Sequence, residues 1–183
     1  MLEDKSFVID FDSTIIQVET LEELASIALK NNPNKEYILN QIKKITDSAM
    51  EGKISIPDAL AQRVKLMHAN KKHLELLIEV LKSKITPSFL RNKEFFKLHR
   101  ENIYVISNGF KEVMLPVLQQ LDLLEKNIFT NSFDFDSEGN ITGFDEKNIL
   151  AKDNGKVELL KSLNLTGEVY VLGDGYTDYQ MKE

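Results

Sequence analysis

Two aspartates, Asp10 and Asp12, stand two positions apart at the end of the apolar run Phe7-Val8-Ile9. Charge at the edge of a core is costly unless something pairs with it. In an extended segment residues i and i+2 point the same way, so both carboxylates converge on one point. Two like charges held close call for a cation, and a hard divalent ion with oxygen ligands, most simply Mg²⁺, satisfies them. A later stretch, Gly173-Asp174-Gly175-Tyr176-Thr177-Asp178, supplies two more acids. Such a metal site inverts the local charge and accepts a phosphate, whose remaining oxygens Ser107 and Lys156 are suited to hold. One aspartate can then attack phosphorus, and the second can protonate the leaving oxygen and later activate water. That second group needs a pKa raised by its neighbours.

Residues from four parts of the chain meet only if strands and helices carry them to one place. Residues 5–10 read as a short buried strand, and Ile103-Tyr104-Val105-Ile106 and Val169-Tyr170-Val171-Leu172 repeat the pattern. Each of these two ends in a polar, glycine-containing turn, Ser107-Asn108-Gly109 and Gly173-Asp174-Gly175. Asn127-Ile128-Phe129-Thr130 is a weaker strand candidate. Strands alternating with helices predict a parallel sheet that binds ligands at its carboxyl ends, where Asp10, Ser107 and Asp174 fall. Between the first two strands lies a helical block too long for a simple crossover. Helix starts are expected at Thr20 with Glu23 as a capping box, after Asn34, at Ser55 with Asp58, and at Asn70. The fold class is therefore α/β, a Rossmann-like parallel sheet core over 1–16 and 83–183 with a small helical-bundle cap inserted at 17–82.

Composition limits the partners. The chain has 183 residues, 42% hydrophobic and 28% charged, enough for one packed domain with an insertion. Its 23 basic residues against 29 acidic ones leave a net charge of -6, a poor match for nucleic acid or an anionic membrane. With no cysteine, neither a disulfide framework nor a thiolate metal site is available. The opening residues lack the apolar core of a signal peptide, so cytoplasmic residence is the default expectation. The expected partner is a small phosphorylated metabolite, bound by a monomer or a homodimer.

Asp10-Phe11-Asp12-Ser13-Thr14, Ser107, Lys156 and Gly173-Asp174-Gly175 with Asp178 resemble the four ordered motifs of haloacid-dehalogenase-superfamily phosphatases, over nearly the whole chain. The chain is most similar to the phosphoserine phosphatase branch. Asp12-Ser13-Thr14 runs on to Glu19-Thr20, and Ala49-Met50-Glu51-Gly52-Lys53 precedes Arg63-Val64. The resemblance implies Asp10 as nucleophile and metal ligand. It implies Asp12 as acid and base and as a ligand through its backbone oxygen, with Asp174 the remaining protein ligand and Asp178 supporting that shell. Ser107, Asn108 and Lys156 would grip the phosphoryl group. Glu19 would take a substrate ammonium and Arg63 its carboxylate, with Thr177 beside the substrate. Asn108, Ile56 and Thr177 depart from the family's usual glycine, aromatic and asparagine. A left-handed backbone, which asparagine enters readily, would let Asn108 serve in the phosphate loop. The family pattern continues through another helix and strand, whereas this chain stops at Glu183, so a truncated chain or a missing sheet edge is expected.

Blander readings stand beside these. A lone Asp-x-Asp is commonly a helix cap or turn, Ser107 a turn residue, Lys156 an exposed lysine, and Glu19 and Arg63 surface charges. Four ordered motifs at strand ends outweigh them. His68, His73 and His99 lie in polar helical surroundings and read as solvent-facing, with no ligand role. Asp134-Phe135-Asp136-Ser137-Glu138-Gly139-Asn140-Ile141 with Asp145 nearly spells a calcium loop, but Phe133, Phe135, Ile141 and Phe144 bracket it as a hairpin. The leading function is a Mg²⁺-dependent phosphomonoesterase working through an aspartyl-phosphate, with phosphoserine as substrate. The alternatives are another small phosphomonoester as substrate, or a non-catalytic binding module of the same fold.

Overall fold

The computed structural model describes residues 4–182; residues 1–3 and Glu183, the outermost parts of the expected core, lie outside them. In chain order the elements are β1 (Lys5–Ile9), α1 (Thr20–Ala28), α2 (Lys35–Met50), α3 (Ile56–Met67) and α4 (Lys71–Ser83). Short α5 (Pro87–Arg91) and α6 (Lys93–Leu98) lead to β2 (Ile103–Phe110), α7 (Lys111–Leu118) and β3 (Ile128–Asn131). Then come β4 (Phe133–Phe135), β5 (Ile141–Phe144), α8 (Gly155–Ser162), β6 (Glu168–Leu172) and α9 (Tyr176–Tyr179).

Four strands form a parallel sheet in the order β3-β2-β1-β6. Val8 of β1 lies opposite Tyr104 and Val171, which fixes the alternation of faces. Ile9, Ile103 and Val105 therefore join the large core shared with the inserted helices, while Val8 and Ile106 face Leu150 and Met181 on the other side. β6 is an edge of the described sheet, and Val169, Tyr170 and Leu172 are exposed there. Its sequence likeness to β1 does not extend to burial, because burial depends on neighbours and not on β-propensity.

Helices α1–α4 all lie between β1 and β2 in the chain. Their apolar stripes recur at helical spacing, as in Leu60, Val64 and Met67 of α3 and Leu74, Leu77 and Leu81 of α4, and are buried against one another. Each such leucine contributes about 1.5–3 kcal/mol by leaving water. The insert is fastened at two ends. At its root Gln17 N donates to Lys84 O at 2.9 Å and Thr86 N to Ile15 O at 2.8 Å. Farther along, the β4–β5 hairpin reaches up to it: Lys71 N donates to Gly139 O, and Ile141 N to Ala69 O, both at 2.9 Å. The calcium-loop look-alike is this hairpin turn, in which the Asp136 carboxylate accepts from the backbone nitrogens of Glu138 and Asn140.

Three local expectations need correction. Strand β2 runs through Ser107-Asn108-Gly109 to Phe110, because Phe110 pairs with Asn131 of β3 beyond a register shift. Asn108 accordingly has no left-handed backbone, and it is absent from the positive-φ residues. Thr20 is the first residue of α1 and not its cap; the cap position is Glu19, which makes no side-chain capping bond. A nearby carboxylate, Asp12, outcompetes a neutral hydroxyl as acceptor for the helix start. His73, expected in solvent, is half-buried, and its Nδ1 accepts from Asn70 N at 3.0 Å, closing the cap of α4. His99 is also half-buried, its ring 4.7 Å from that of Phe95.

Candidate active site

The sheet delivers Asp10 directly after β1, Ser107 near the end of β2 and Asp174 just after β6, while α8 presents Lys156 in its first turn. Lys156 and Asp178 are buried, and the ammonium bridges two carboxylates, 2.9 Å from Asp10 Oδ2 and 2.7 Å from Asp178 Oδ1. Asp10 Oδ1 accepts from Phe11 N at 2.7 Å, and Asp178 Oδ2 from Gly175 N at 3.1 Å. Gly173 has to be glycine here, since a Cβ would collide with the Asp178 carboxyl. Asp10, Asp174 and Asp178 each offer an oxygen within 4.8 Å of the others. With three acids against a single ammonium, this all-oxygen donor set suits a hard divalent cation.

Asp12 takes a different route from the one its spacing suggested. The strand ends at Ile9, Phe11–Ile15 form an irregular helical turn, and Ser13 just after Asp12 adopts a left-handed backbone (φ 50°). The Asp12 carboxylate is absent from the three-acid cluster. Instead its Oδ1 accepts from the Thr20 hydroxyl and, at 3.1 Å, from Thr20 N. Glu19 Oε1 accepts from Ser13 Oγ at 2.6 Å, and Arg63 projects from α3, where its Nε donates to Ala59 O at 3.1 Å.

One cavity of about 80 Å³ collects all the candidate site residues: Asp10, Asp12, Glu19, Arg63, Ser107, Asn108, Lys156, Asp174, Thr177 and Asp178. The side chain of Asn108 is committed elsewhere, since Nδ2 donates to Leu150 O at 2.7 Å. Asn131 of β3, fully buried, props the same segment of β2 by donating to Asn108 O at 2.9 Å. Ser107 Oγ accepts from Gly109 N at 3.0 Å, within the stretch where the β2–β3 register shifts.

Electrostatics follow from burial. It pushes the Asp10 carboxyl up to about 7 against the pull of Lys156, and Asp178 adds to the rise. It lifts Asp12 well above the usual carboxylate range, with Glu19 adding to it and the Thr20 bonds opposing it. Glu19 and Asp174 are raised for the same first reason. Burial alone would depress the Lys156 ammonium, yet Asp10 and Asp178 together hold it above its ordinary value. Burial lowers Arg63, while Glu19 pulls the other way.

Sequence reasoning missed Thr20 as a partner of Asp12, and Thr46 as a cavity residue on α2, 3.5 Å from an Arg63 nitrogen. A signal existed for Thr46, which interrupts the buried stripe Ile42, Thr46, Ala49 with a hydroxyl.

Residues 5–182 match the haloacid dehalogenase-like hydrolase family. The chain belongs to it. Within this hydrolase family it is 31% identical to the phosphoserine phosphatase of Methanocaldococcus jannaschii over 186 residues, 97% of this chain and 80% of that protein. It is 28% identical to the phosphoserine phosphatase of Bos taurus over 174 residues, 93% and 74% of the two chains. A phosphoserine phosphohydrolase-like protein from Francisella tularensis superposes with a TM-score of 0.83 at 28% identity, covering 97% and 81%. The chain is thus an enzyme of the dehalogenase-like family, a phosphoric monoester hydrolase related to phosphoserine phosphatases. Among the described residues no helix is long and apolar enough to cross a membrane.

Proposed function

We propose that this enzyme hydrolyses O-phosphoserine to serine and phosphate through an aspartyl-phosphate on Asp10, with Mg²⁺ as cofactor. The observation that carries the reading is the shared cavity, with Asp10, Asp12 and Lys156 in its wall together with one further acid, Glu19, and one base, Arg63. A phosphate placed over Asp10 meets Ser107 and Lys156, with Asn108 beside them in the cavity wall. An α-amino acid extending from it meets Glu19 with its ammonium and Arg63 with its carboxylate. Bound Mg²⁺, held by Asp10, Asp174 and the Asp12 carbonyl with Asp178 behind them, would supply charge neutralisation between the acids and the phosphate.

Asp10 attacks phosphorus as the bond to the serine oxygen breaks, and Asp12 gives its proton to that oxygen. Burial raises the pKa of Asp12 and so favours the protonated form that this role needs. Asp12, now ionised, takes a proton from water, whose oxygen displaces Asp10 from phosphorus and releases phosphate. Lys156 balances Asp10 and Asp178 before the substrate arrives, and holds a phosphoryl oxygen afterwards.

Phosphate release from phosphoserine, phosphoethanolamine and phosphoglycolate, with Mg²⁺ and with chelator, tests the reading. Phosphoserine in the presence of Mg²⁺ is expected to be preferred by about tenfold or more, the usual scale for a charged contact in a site built to receive it. A preference for either ester lacking one of the two end groups would contradict it.

A further inference from the structure

We infer that Thr20 is a positioning residue for the acid-base step, holding Asp12 so that its Oδ2, and not Oδ1, carries the proton to the leaving oxygen. The inference rests on the phosphatase reading above and adds a residue to it. Thr20 is fully buried at the first position of α1. Both its polar hydrogens go to one atom: the hydroxyl and the backbone N–H donate to Asp12 Oδ1. A backbone N–H can only donate, so Oδ1 is an acceptor and the proton of the acid belongs on Oδ2. Two bonds to one oxygen also fix the plane of the carboxyl, which otherwise rotates broadly about its last torsion.

The arrangement does more than satisfy a buried hydroxyl. A mid-helix threonine commonly bonds the carbonyl one turn back, as Thr46 does with Ile42 O. Thr20 has no such turn behind it, and Glu19, in the cap position, leaves the capping role open. Asp12 fills that role, so the catalytic acid is also the cap of the first inserted helix. A parallel bond, Ser13 Oγ to Glu19 Oε1, lies one residue away and ties the ammonium-binding acid to the same turn. The two straps join residues 12–13 to 19–20, and the proton donor is thereby set in register with the residue proposed to read the substrate's amino group.

General-acid catalysis contributes about 10²–10⁴-fold, and it matters most when the leaving group is a poor one. The test is kcat/KM, which reports steps up to leaving-group departure, measured with Mg²⁺ on p-nitrophenyl phosphate, phenyl phosphate and phosphoserine. Thr20→Val keeps the shape and the backbone N–H but loses the hydroxyl. It is expected to lose about 10–100-fold on phosphoserine, an intermediate factor on phenyl phosphate and less than about threefold on p-nitrophenyl phosphate, whose leaving group needs no proton. Thr20→Ser is expected to restore the phosphoserine rate to within several-fold, and Thr20→Ala, which cannot clash, to reproduce the graded loss. Equal losses on all three substrates, or no loss on any, would overturn the positioning role while leaving the phosphatase reading intact. A parent protein inactive on all three would overturn both.

Discussion

Lys156 Nζ sits between Asp10 Oδ2, at 2.9 Å, and Asp178 Oδ1, at 2.7 Å, with all three side chains buried. One cation therefore offsets two anions at the centre of the site, and its removal leaves both uncompensated. Breaking a buried ion pair by deleting one partner costs about 3–5 kcal/mol. Lys156→Ala is expected to lose about that much in urea denaturation of metal-free protein at pH 8. The loss should shrink toward pH 6, where the Asp10 carboxyl, raised to about 7, takes up a proton instead. An equal loss at both pH values would show that packing of the lysine stem, and not its charge, is what matters.

Metal should stabilise the fold in a pH-dependent way. Folded Asp10 keeps its proton up to about pH 7, whereas an unfolded aspartate loses its own near about pH 4. The metal-free fold therefore loses stability as pH rises through that window. A cation needs the deprotonated form, so its affinity rises over the same range. Differential scanning fluorimetry with Mg²⁺ is expected to show a larger rise in Tm at pH 8 than at pH 6, and Asp174→Asn to remove most of it. A shift independent of pH, or intact in Asp174→Asn, would argue against this acid cluster as the metal site.

Recognition of the amino acid rests on Glu19 and Arg63. A hydrogen bond to a charged group contributes about 1.5–3 kcal/mol, or roughly ten- to hundredfold. Arg63→Ala should raise KM for phosphoserine by that factor and leave p-nitrophenyl phosphate nearly unchanged, and Glu19→Gln should behave likewise. Equal losses on both substrates would assign the two residues to fold or chemistry instead.

The hairpin clasp should matter to the insert. Asn70 caps α4, accepting from Lys72 N, and its Nδ2 also donates to Glu138 O at 3.1 Å and Asn140 Oδ1 at 3.0 Å. Asn70→Ala is expected to cost about 1–2 kcal/mol, the value of a lost cap with little compensation. Asn70→Asp, which retains the cap acceptor but not the donor, separates the two roles in the same urea titration.

Much of this was readable in the chain. Apolar runs that end in acids placed Asp10 and Asp174 at strand ends, and the capping signals at Ser55 and Asn70 placed two helix starts correctly, because cap and turn chemistry is local. Thr20 was misread since its partner is Asp12 across a turn, and a hydroxyl followed by Glu23 looks the same whether it caps a helix or steadies a catalytic acid. The side-chain bond of Asn108 to Leu150 O, a residue 42 positions away, was not legible because no local rule points to it. The exposure of Val169, Tyr170 and Leu172 was not legible in their residue types, since β1 and β6 carry the same kind of residues and burial depends on which strands neighbour them.

The claim on which the rest depends is attack by Asp10. Rapid acid quench during turnover of phosphate-labelled phosphoserine with Mg²⁺ tests it directly. The account predicts acid-stable, hydroxylamine-labile label on the peptide containing Asp10, and neither label nor phosphate release from Asp10→Asn. Phosphate release by Asp10→Asn at near the parental rate would contradict it.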